Sequence, residues 1–343
     1  MMGRVQTDVV TWAREAFDLG AGDVSITPGA RGAQGQVWRL AVGHRVFALK
    51  QVFAGTPPAR VEVEAEVAFT QRATAAGARL PASHPDRNGR YLVPLPDGGW
   101  LRLYDWVDLR AADLVAAAEA LGVLLARLHL CAPAADREPG GAPPDRWYEV
   151  PPDPDAWRPM VTAATEAGMS WGSRLAAAVD GLPALYAILA STDPTRMRLC
   201  HRDLHPDNVL ADESGELVVV DWDNLGPAEP ARELAGTLVA CFHDGDPDLA
   251  SMRRAYRSYV AAGGPARLRS TADFTMLIAT QLNFLNLQVR VALDPAALPR
   301  DSNWAELEID EGLRILPTPD LTAAVLDALE ERAPTDDQLP PSR

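Results

Sequence analysis

Between Cys200 and Asp223 the chain reads Cys200-His201-Arg202-Asp203-Leu204-His205-Pro206-Asp207-Asn208. After the apolar run Leu217-Val218-Val219-Val220 it then reads Asp221-Trp222-Asp223. The stretch supplies a carboxylate, an amide side chain five residues later, and a second carboxylate at the end of an expected buried strand. Phosphoryl transfer needs such a set. One carboxylate orients an attacking hydroxyl and accepts its proton, while oxygen ligands hold Mg²⁺ against nucleotide phosphates. His201 to Asn208 fits the pattern H-R-D-x-x-x-x-N without a gap, and chance is a poor account of so many fixed positions followed by an acid-tipped strand.

Three further features precede this stretch in the order an ATP site requires. Gly29, Gly32 and Gly35 lie in Pro28-Gly29-Ala30-Arg31-Gly32-Ala33-Gln34-Gly35, an expected turn whose backbone N–H groups would approach phosphates closely. On spacing alone an ordinary loop is the better reading, and only its place just ahead of the strand bearing Lys50 favours the phosphate reading. Lys50 closes Val46-Phe47-Ala48-Leu49-Lys50, similar to the V-A-I-K strand whose lysine contacts α- and β-phosphates. Strand alternation sets it on the face of Ala48, although a lone strand-end lysine is more often solvated. In the following helix Glu62 and Glu66 share a face that Glu64 does not, so one of the two is expected to pair with Lys50; exposed helix-face acids are the alternative.

These groups need elements to position them. Residues 8–18 read as an amphipathic helix with Val9, Trp12, Ala13 and Phe17 on one side. Two strands, 36–40 and 45–50, flank the turn Gly43-His44, and a helical pattern over 59–76 stops at Gly77. A second strand pair, 91–93 and 100–104, surrounds Asp97-Gly98-Gly99. Beyond it helices are expected at 111–130, 160–189, 231–242, 248–262 and 272–291, with a proline- and glycine-rich loop over 132–159. No internal repeat is visible.

Composition narrows the partners. The 343 residues are 47% hydrophobic and 23% charged, with 32 Lys and Arg against 47 Asp and Glu, a net charge of −15. That balance argues against nucleic acid or an anionic membrane, which need a basic face. It permits a cationic small molecule, but excess acid also serves solubility. Cys131, Cys200 and Cys241 form no C-x-x-C pair, which speaks against a disulfide framework or zinc site. Without an apolar leader or a run of roughly 20 apolar residues, the expected location is the cytoplasm.

From about Ile26 to Val291 the chain resembles the aminoglycoside phosphotransferase family, small-molecule kinases related to protein kinases. His201 to Asp223 is the specific portion, supported by Lys50, Gly77-Ala78-Arg79-Leu80-Pro81 and Leu121 to His129. Val220-Asp221-Trp222 matches that family's V-D-W where protein kinases carry D-F-G, and no A-P-E follows. The family's D-L-A appears here as Glu233-Leu234-Ala235, a departure at a structural position. The resemblance implies an α+β, bilobal protein-kinase-like fold, with a small β-rich N-lobe carrying one main helix and a larger, mostly helical C-lobe. Residues 1–104 would form the nucleotide-binding lobe, 105–109 the hinge, 110–333 the catalytic and substrate-binding lobe, and 334–343 a flexible tail.

By position, the resemblance implies Asp203 as catalytic base, Asn208 and Asp221 as Mg²⁺ ligands, and Lys50 on the ATP phosphates. It selects Glu66, eleven residues before Gly77, as the partner of Lys50, and offers the backbone of Asp105 and Val107 to the purine. His201 and Arg202 would brace the loop, and His205 reads as a packed loop histidine. Asp207 and Asp223 are either substrate contacts or solvated acids. The implied activity is ATP-dependent transfer of the γ-phosphate to a hydroxyl of a small molecule, an antibiotic foremost, giving resistance. A metabolic kinase for a sugar or amino alcohol is the alternative. A nucleotide-binding pseudokinase is opposed by the joint presence of Lys50, Asp203, Asn208 and Asp221. Beyond the acceptor, no nucleic acid, membrane or obligate protein partner is implied. Trp157, Trp171, Trp304, Glu306 and Glu308 are candidate acceptor contacts.

Overall fold

The computed structural model describes the chain apart from residues 1, 21, 32–34, 54–56, 97, 133–144 and 331–343, and for residues 2–8 the backbone alone. Gly32, much of the expected 132–159 loop and the expected tail 334–343 therefore lie outside the described residues. Helix α1 (Met2–Ala16) leads into strands β1 (Val24–Arg31), β2 (Gly35–Val42) and β3 (Arg45–Val52), then α2 (Arg60–Ala75). Short strands β4 (Ser83–His84) and β5 (Val93–Pro94) precede β6 (Trp100–Asp105) and β7 (Arg110–Ala111). Helices α3 (Ala118–Cys131), α4 (Trp157–Glu166) and α5 (Gly172–Tyr186) follow. Next come β8 (Arg198–Cys200), β9 (Val209–Ala211), β10 (Leu217–Val219) and β11 (Gly226–Ala228). The chain then continues through α6 (Pro230–Phe242), α7 (Leu249–Ala261), α8 (Thr275–Leu293), α9 (Pro299–Ile315) and α10 (Pro319–Glu330). None of the described helices is long and apolar enough to cross a membrane.

The fold is α+β, sheet-rich in its first part and helical in its second. Two compact units are formed, one by Met1–Ala112 with Asp207–Asp223, the other by Asp113–Pro206 with Asn224–Arg343. Segment 207–223, expected within the larger lobe, is bound into the first unit by backbone pairing. Strand β9 joins β7 and β10, the Val219 amide donates to the Arg79 carbonyl, and the Trp222 ring packs 5.5 Å from that of Phe69.

In the first unit the antiparallel order is β1-β2-β3-β6-β4, with β5 on β6. Alternation divides the sheet into two faces. Trp38, Leu40, Phe47, Leu49, Leu101 and Leu103 point to one side, where Val9 and Ala13 of α1 and Phe17, just past its end, cover them. Lys50 and Arg102 belong to the other side and stand in register on β3 and β6. Helix α2 buries Val63, Glu66, Val67, Phe69, Thr70 and Ala73, and its end is set by Gly77 at φ 88°.

The second unit is built of helices, with α3 against α7 and α8 against α9, and one short strand pair, β8 with β11. Its boundaries depart from the sequence reading for local reasons. Gly168, at φ 65°, separates α4 from α5 where one continuous pattern was expected over 160–189. Residues 110–111 pair with β9, so α3 begins at Ala118. Helices α9 and α10 were not expected, because α9 fully buries only Ala305 and Ile309 and its apolar periodicity is weak. Strand β1 was also missed. Pro28 and Gly29 interrupt it, as an edge strand tolerates.

Candidate active site

In the first unit, three carboxylates gather around the two cations that β3 and β6 place side by side. Like charges directly opposite across strands repel, so each cation needs acids nearby. The Lys50 ammonium donates to Asp221 Oδ1 at 2.6 Å and lies 2.8 Å from Asp223 Oδ2. Arg102, 2% exposed, donates through Nη1 and Nη2 to the two oxygens of Glu66, both at 2.7 Å, and through Nη1 to Asp223 Oδ1 at 2.9 Å. Burial disfavours the Lys50 ammonium, but Asp223 and Asp221 outweigh it and its pKa is raised. Burial likewise pushes Asp223 up, and Lys50 with Arg102 reverse this and hold its carboxyl below the usual range. For Glu66 burial prevails over Arg102, and its carboxyl is raised.

The expected Lys50–Glu66 pair is therefore corrected. Glu66 is taken by Arg102, whose planar fork matches a carboxylate in two-point contact better than an ammonium does. Glu62 accepts from the Ala59 amide at 2.8 Å and caps its own helix. Arg102 was not foreseen. Asp221 holds φ 60°, a left-handed conformation rare outside glycine and concentrated at functional positions.

In the second unit, the loop after β8 carries Asp203. The Asn224 amide donates to Asp203 Oδ2 at 3.0 Å, and His205 Nε2 lies 3.8 Å from Asp203 Oδ1. Arg202 is the other left-handed non-glycine residue, at φ 66°. Its backbone amide donates to Glu233 Oε1, its Nε donates to the Asn224 carbonyl at 2.6 Å, and its guanidinium lies 4.1 Å from the Tyr148 ring centre. A side chain at Gly226 would put a Cβ 2.4 Å from that guanidinium carbon, so a larger residue there would push the Arg202 side chain off its place. Glu233, 2% exposed, also lies 2.7 Å from His129 Nε2, while His129 Nδ1 lies 2.8 Å from the Tyr259 hydroxyl. Both ring nitrogens of His129 are thus engaged, and His129 holds the Glu233 carboxylate that braces the loop. Burial raises the Glu233 carboxyl, but the hydrogen bond and charge of His129 and the Arg202 amide bring it below the ordinary value.

The remaining expected positions divide. Gly29 lies within β1 rather than in a turn, and a Cβ there would come 3.2 Å from the Val37 carbonyl oxygen and 3.8 Å from Trp106. Gly35 begins β2, and a Cβ there would meet the Gln51 carbonyl oxygen at 2.4 Å, so strand pairing already requires this glycine. Asp105 ends β6; its amide donates to the Ala82 carbonyl and its carboxylate lies 2.7 Å from His84 Nε2. Val107 follows in irregular, half-buried chain. Asn208 is buried beside β9, and its carbonyl accepts from the Val220 amide at 3.0 Å.

The sequence profile described as the phosphotransferase enzyme family matches residues 25–270. The chain belongs to this family. No curated protein matches the sequence significantly. Among solved structures, a spectinomycin phosphotransferase in complex with ADP and spectinomycin is 12% identical with TM-score 0.64, covering 93% of this chain and 98% of that one. A microcompartment-associated aminopropanol kinase is 20% identical with TM-score 0.64, covering 95% and 99%. An amicoumacin kinase in complex with AMP-PNP and Ca²⁺ is 16% identical with TM-score 0.54, covering 93% and 98%.

Within this phosphotransferase the donor set suits a hard divalent cation. Asn208, Asp221 and Asp223 offer oxygen ligands of the kind Mg²⁺ prefers, and two of the carboxylates already converge on one positive charge. Among the described residues, two cavities of the second unit stand out. One, of about 860 Å³, lies along α5 and α9, and its lining holds no residue of the 201–208 loop. The other, of about 360 Å³, is lined by Trp147, Asp153, Asn283, Asn286, Leu287 and Arg290 among others. Asn283 donates to the carbonyls of Trp147 and Val150 and so fixes the segment whose Tyr148 packs on Arg202. Trp157 and Trp171, expected as acceptor contacts, are fully buried core residues. Trp304 is exposed, and Glu306 and Glu308 are half-buried on α9.

Proposed function

We propose that the protein transfers the γ-phosphoryl group of ATP, bound with Mg²⁺, to a hydroxyl of an antibiotic-sized small molecule. The observation that carries this reading is the oriented base: Asp203 held by Asn224 in a loop whose strained neighbour Arg202 is pinned by Glu233. Chain continuity supports the rest, since Asn224 directly follows Asp223, and Asn208 follows Asp203 by five residues. Asn208 and Asp221 would hold the metal, which when bound neutralises charge on the phosphates. Asp203 orients the acceptor hydroxyl and takes its proton as the new O–P bond forms and the β–γ bridging bond breaks. Lys50 stabilises the phosphate oxygens, and the Asp105–Val107 backbone receives the purine.

The cavity beside Trp147 is the favoured acceptor pocket, because its wall continues into the residue that packs on the catalytic loop. With an indole, two amides, an acid and a base, it suits an amphipathic hydroxyl compound. Its volume falls in the range of drug-sized pockets, and a three-carbon amino alcohol would leave most of it empty. An ATP-consumption screen over aminoglycosides, spectinomycin, macrolides, amicoumacin-like compounds, sugars and amino alcohols tests the proposal. Acceptor-dependent ADP release with a mass gain of one phosphoryl group is expected for an antibiotic. Turnover confined to amino alcohols or sugars would replace the antibiotic by a metabolite, and nucleotide binding with no acceptor-dependent turnover would sink the transferase reading.

A further inference from the structure

We propose that Lys50 is a placeholder for the divalent cation: in the nucleotide-free protein its ammonium fills the seat between Asp221 and Asp223, and metal entry drives it off toward the phosphates. The inference rests on the reading of Asp221 as a metal ligand and adds to it Asp223, whose second oxygen faces the same seat. Its geometric basis is a division of labour that the β3–β6 register imposes. Arg102 stands opposite Lys50 and occupies both oxygens of Glu66. Lys50 therefore pairs with Asp221 and Asp223 instead of the helix carboxylate, on which it acts only at a distance. Arg102 also fixes one oxygen of Asp223, at 2.9 Å, and leaves the other facing Lys50. That makes Arg102 a positioning residue for Asp223.

An ammonium and a divalent ion cannot share this seat. Mg²⁺ demands oxygens at about 2.0–2.1 Å, and the ammonium holds the same oxygens for itself. Each cation must then weaken the other's hold, and by linkage the effect is mutual. Nucleotide phosphates give the displaced Lys50 a new partner. Nucleotide thus strengthens metal binding beyond the oxygens that it contributes, and without nucleotide the seat holds metal more weakly than its oxygens alone would.

Mn²⁺ binding to the nucleotide-free full-length protein, followed by electron paramagnetic resonance and calorimetry, tests the exchange. Lys50→Met is expected to bind Mn²⁺ about tenfold more tightly than the parent, within the 5–150-fold span usual for coupled sites. Lys50→Arg keeps a charge in the seat and stays weak. Arg102→Met also removes a cation beside Asp223, so general repulsion predicts a similar gain, whereas the placeholder predicts a loss because Asp223 is no longer oriented. Should Arg102→Met fail to fold, AMP-PNP provides the second measurement: the gain in Mn²⁺ affinity that it causes must shrink in Lys50→Met. Asp221→Ala separates the two ideas. If Asp221→Ala binds Mn²⁺ as the parent does, the metal reading itself falls and the exchange with it. If Asp221→Ala loses Mn²⁺ but Lys50→Met gains nothing, or Lys50→Met and Arg102→Met gain alike, the exchange alone is overturned.

Discussion

The cluster around Lys50 and the loop around Asp203 reach order by different physics. The first is a mesh of full charges, two cations and three carboxylates, each shared or matched at 2.6–2.9 Å. The second orients its single carboxylate with an uncharged amide, holds the Arg202 backbone amide on Glu233 and ties the Arg202 side chain to the Asn224 carbonyl. Each carries one left-handed non-glycine residue, Asp221 and Arg202. A charged mesh can trade partners when new charges arrive, which suits a site that admits a nucleotide and an ion. An amide-held carboxylate stays put when charge arrives nearby, which suits a base. The contrast assigns adaptability to the first region and fixed geometry to the second.

The largest expected effect breaks the second region at its centre. Asp203→Ala should lower kcat by on the order of 10²–10⁴-fold, the scale of general-base and positioning losses, with nucleotide affinity little changed. Steady-state kinetics beside nucleotide titration checks this, and near-normal turnover would remove Asp203 from the mechanism.

Breaking the first region should show in stability before activity. Arg102→Met strands Glu66 in the interior, where removing one partner of a buried pair costs about 3–5 kcal/mol. Replacing both partners, Glu66→Met with Arg102→Met, should recover much of that loss, because a packed apolar pair stands in for a buried ion pair at little cost. Chemical denaturation of the single and double variants gives the answer. A double variant as unstable as the single would mean that Arg102 is held by more than its charge.

The two regions were not equally legible in the sequence. Asp203, Asn208 and Asp221 sit within one short stretch, so their spacing carries the motif whatever the fold does. The partner of Lys50 could not be read the same way. Arg102 is brought to it by strand register across some fifty residues, and its only local mark is a charge set among Trp100, Leu101 and Leu103 in a buried strand. Asn224 follows the acid-tipped strand directly, yet its bond to Asp203 depends on β8 pairing with β11. Trp157 and Trp171 show the reverse error. Aromatic residues of the larger lobe pass for pocket walls in the sequence, and burial makes them core.

A smaller effect sharpens the comparison from the side of the base. Asn224→Ala removes one of the contacts that orient the Asp203 carboxylate, so kcat should fall by roughly tenfold, while stability changes by about 1 kcal/mol, the usual net worth of one hydrogen bond. Asn224→Asp would be harsher, since it sets a second negative charge where the amide donated. Equal kcat values for the two variants would argue that the amide does not orient the base.

The smallest effect is proton linkage, and it reads the charged mesh against the hydrogen-bonded brace. The folded pKa of Asp223 lies below its ordinary 3.8, and that of Glu233 below 4.5, so both acids stabilise the fold above those values. On acidification the unfolded chain takes up the proton first, and the contribution is lost as pH falls through each folded pKa. The stability gap between the parent and Asp223→Asn, or Glu233→Gln, should therefore stay constant from pH 7 to about 5 and close below it. Lys50 sets the other limit. Its raised pKa means that its share of the pair is fully present below the unfolded lysine value and is lost only as pH climbs through the folded one. Removing Lys50 should shift the two acids unequally. Lys50→Met deprives Asp223 of its foremost opposing charge, so closure of the Asp223→Asn gap should move toward the ordinary carboxyl range, whereas the Glu233→Gln gap should close where it did before. If both gaps moved together, the two regions would be one electrostatic network and the contrast between mesh and brace would fail.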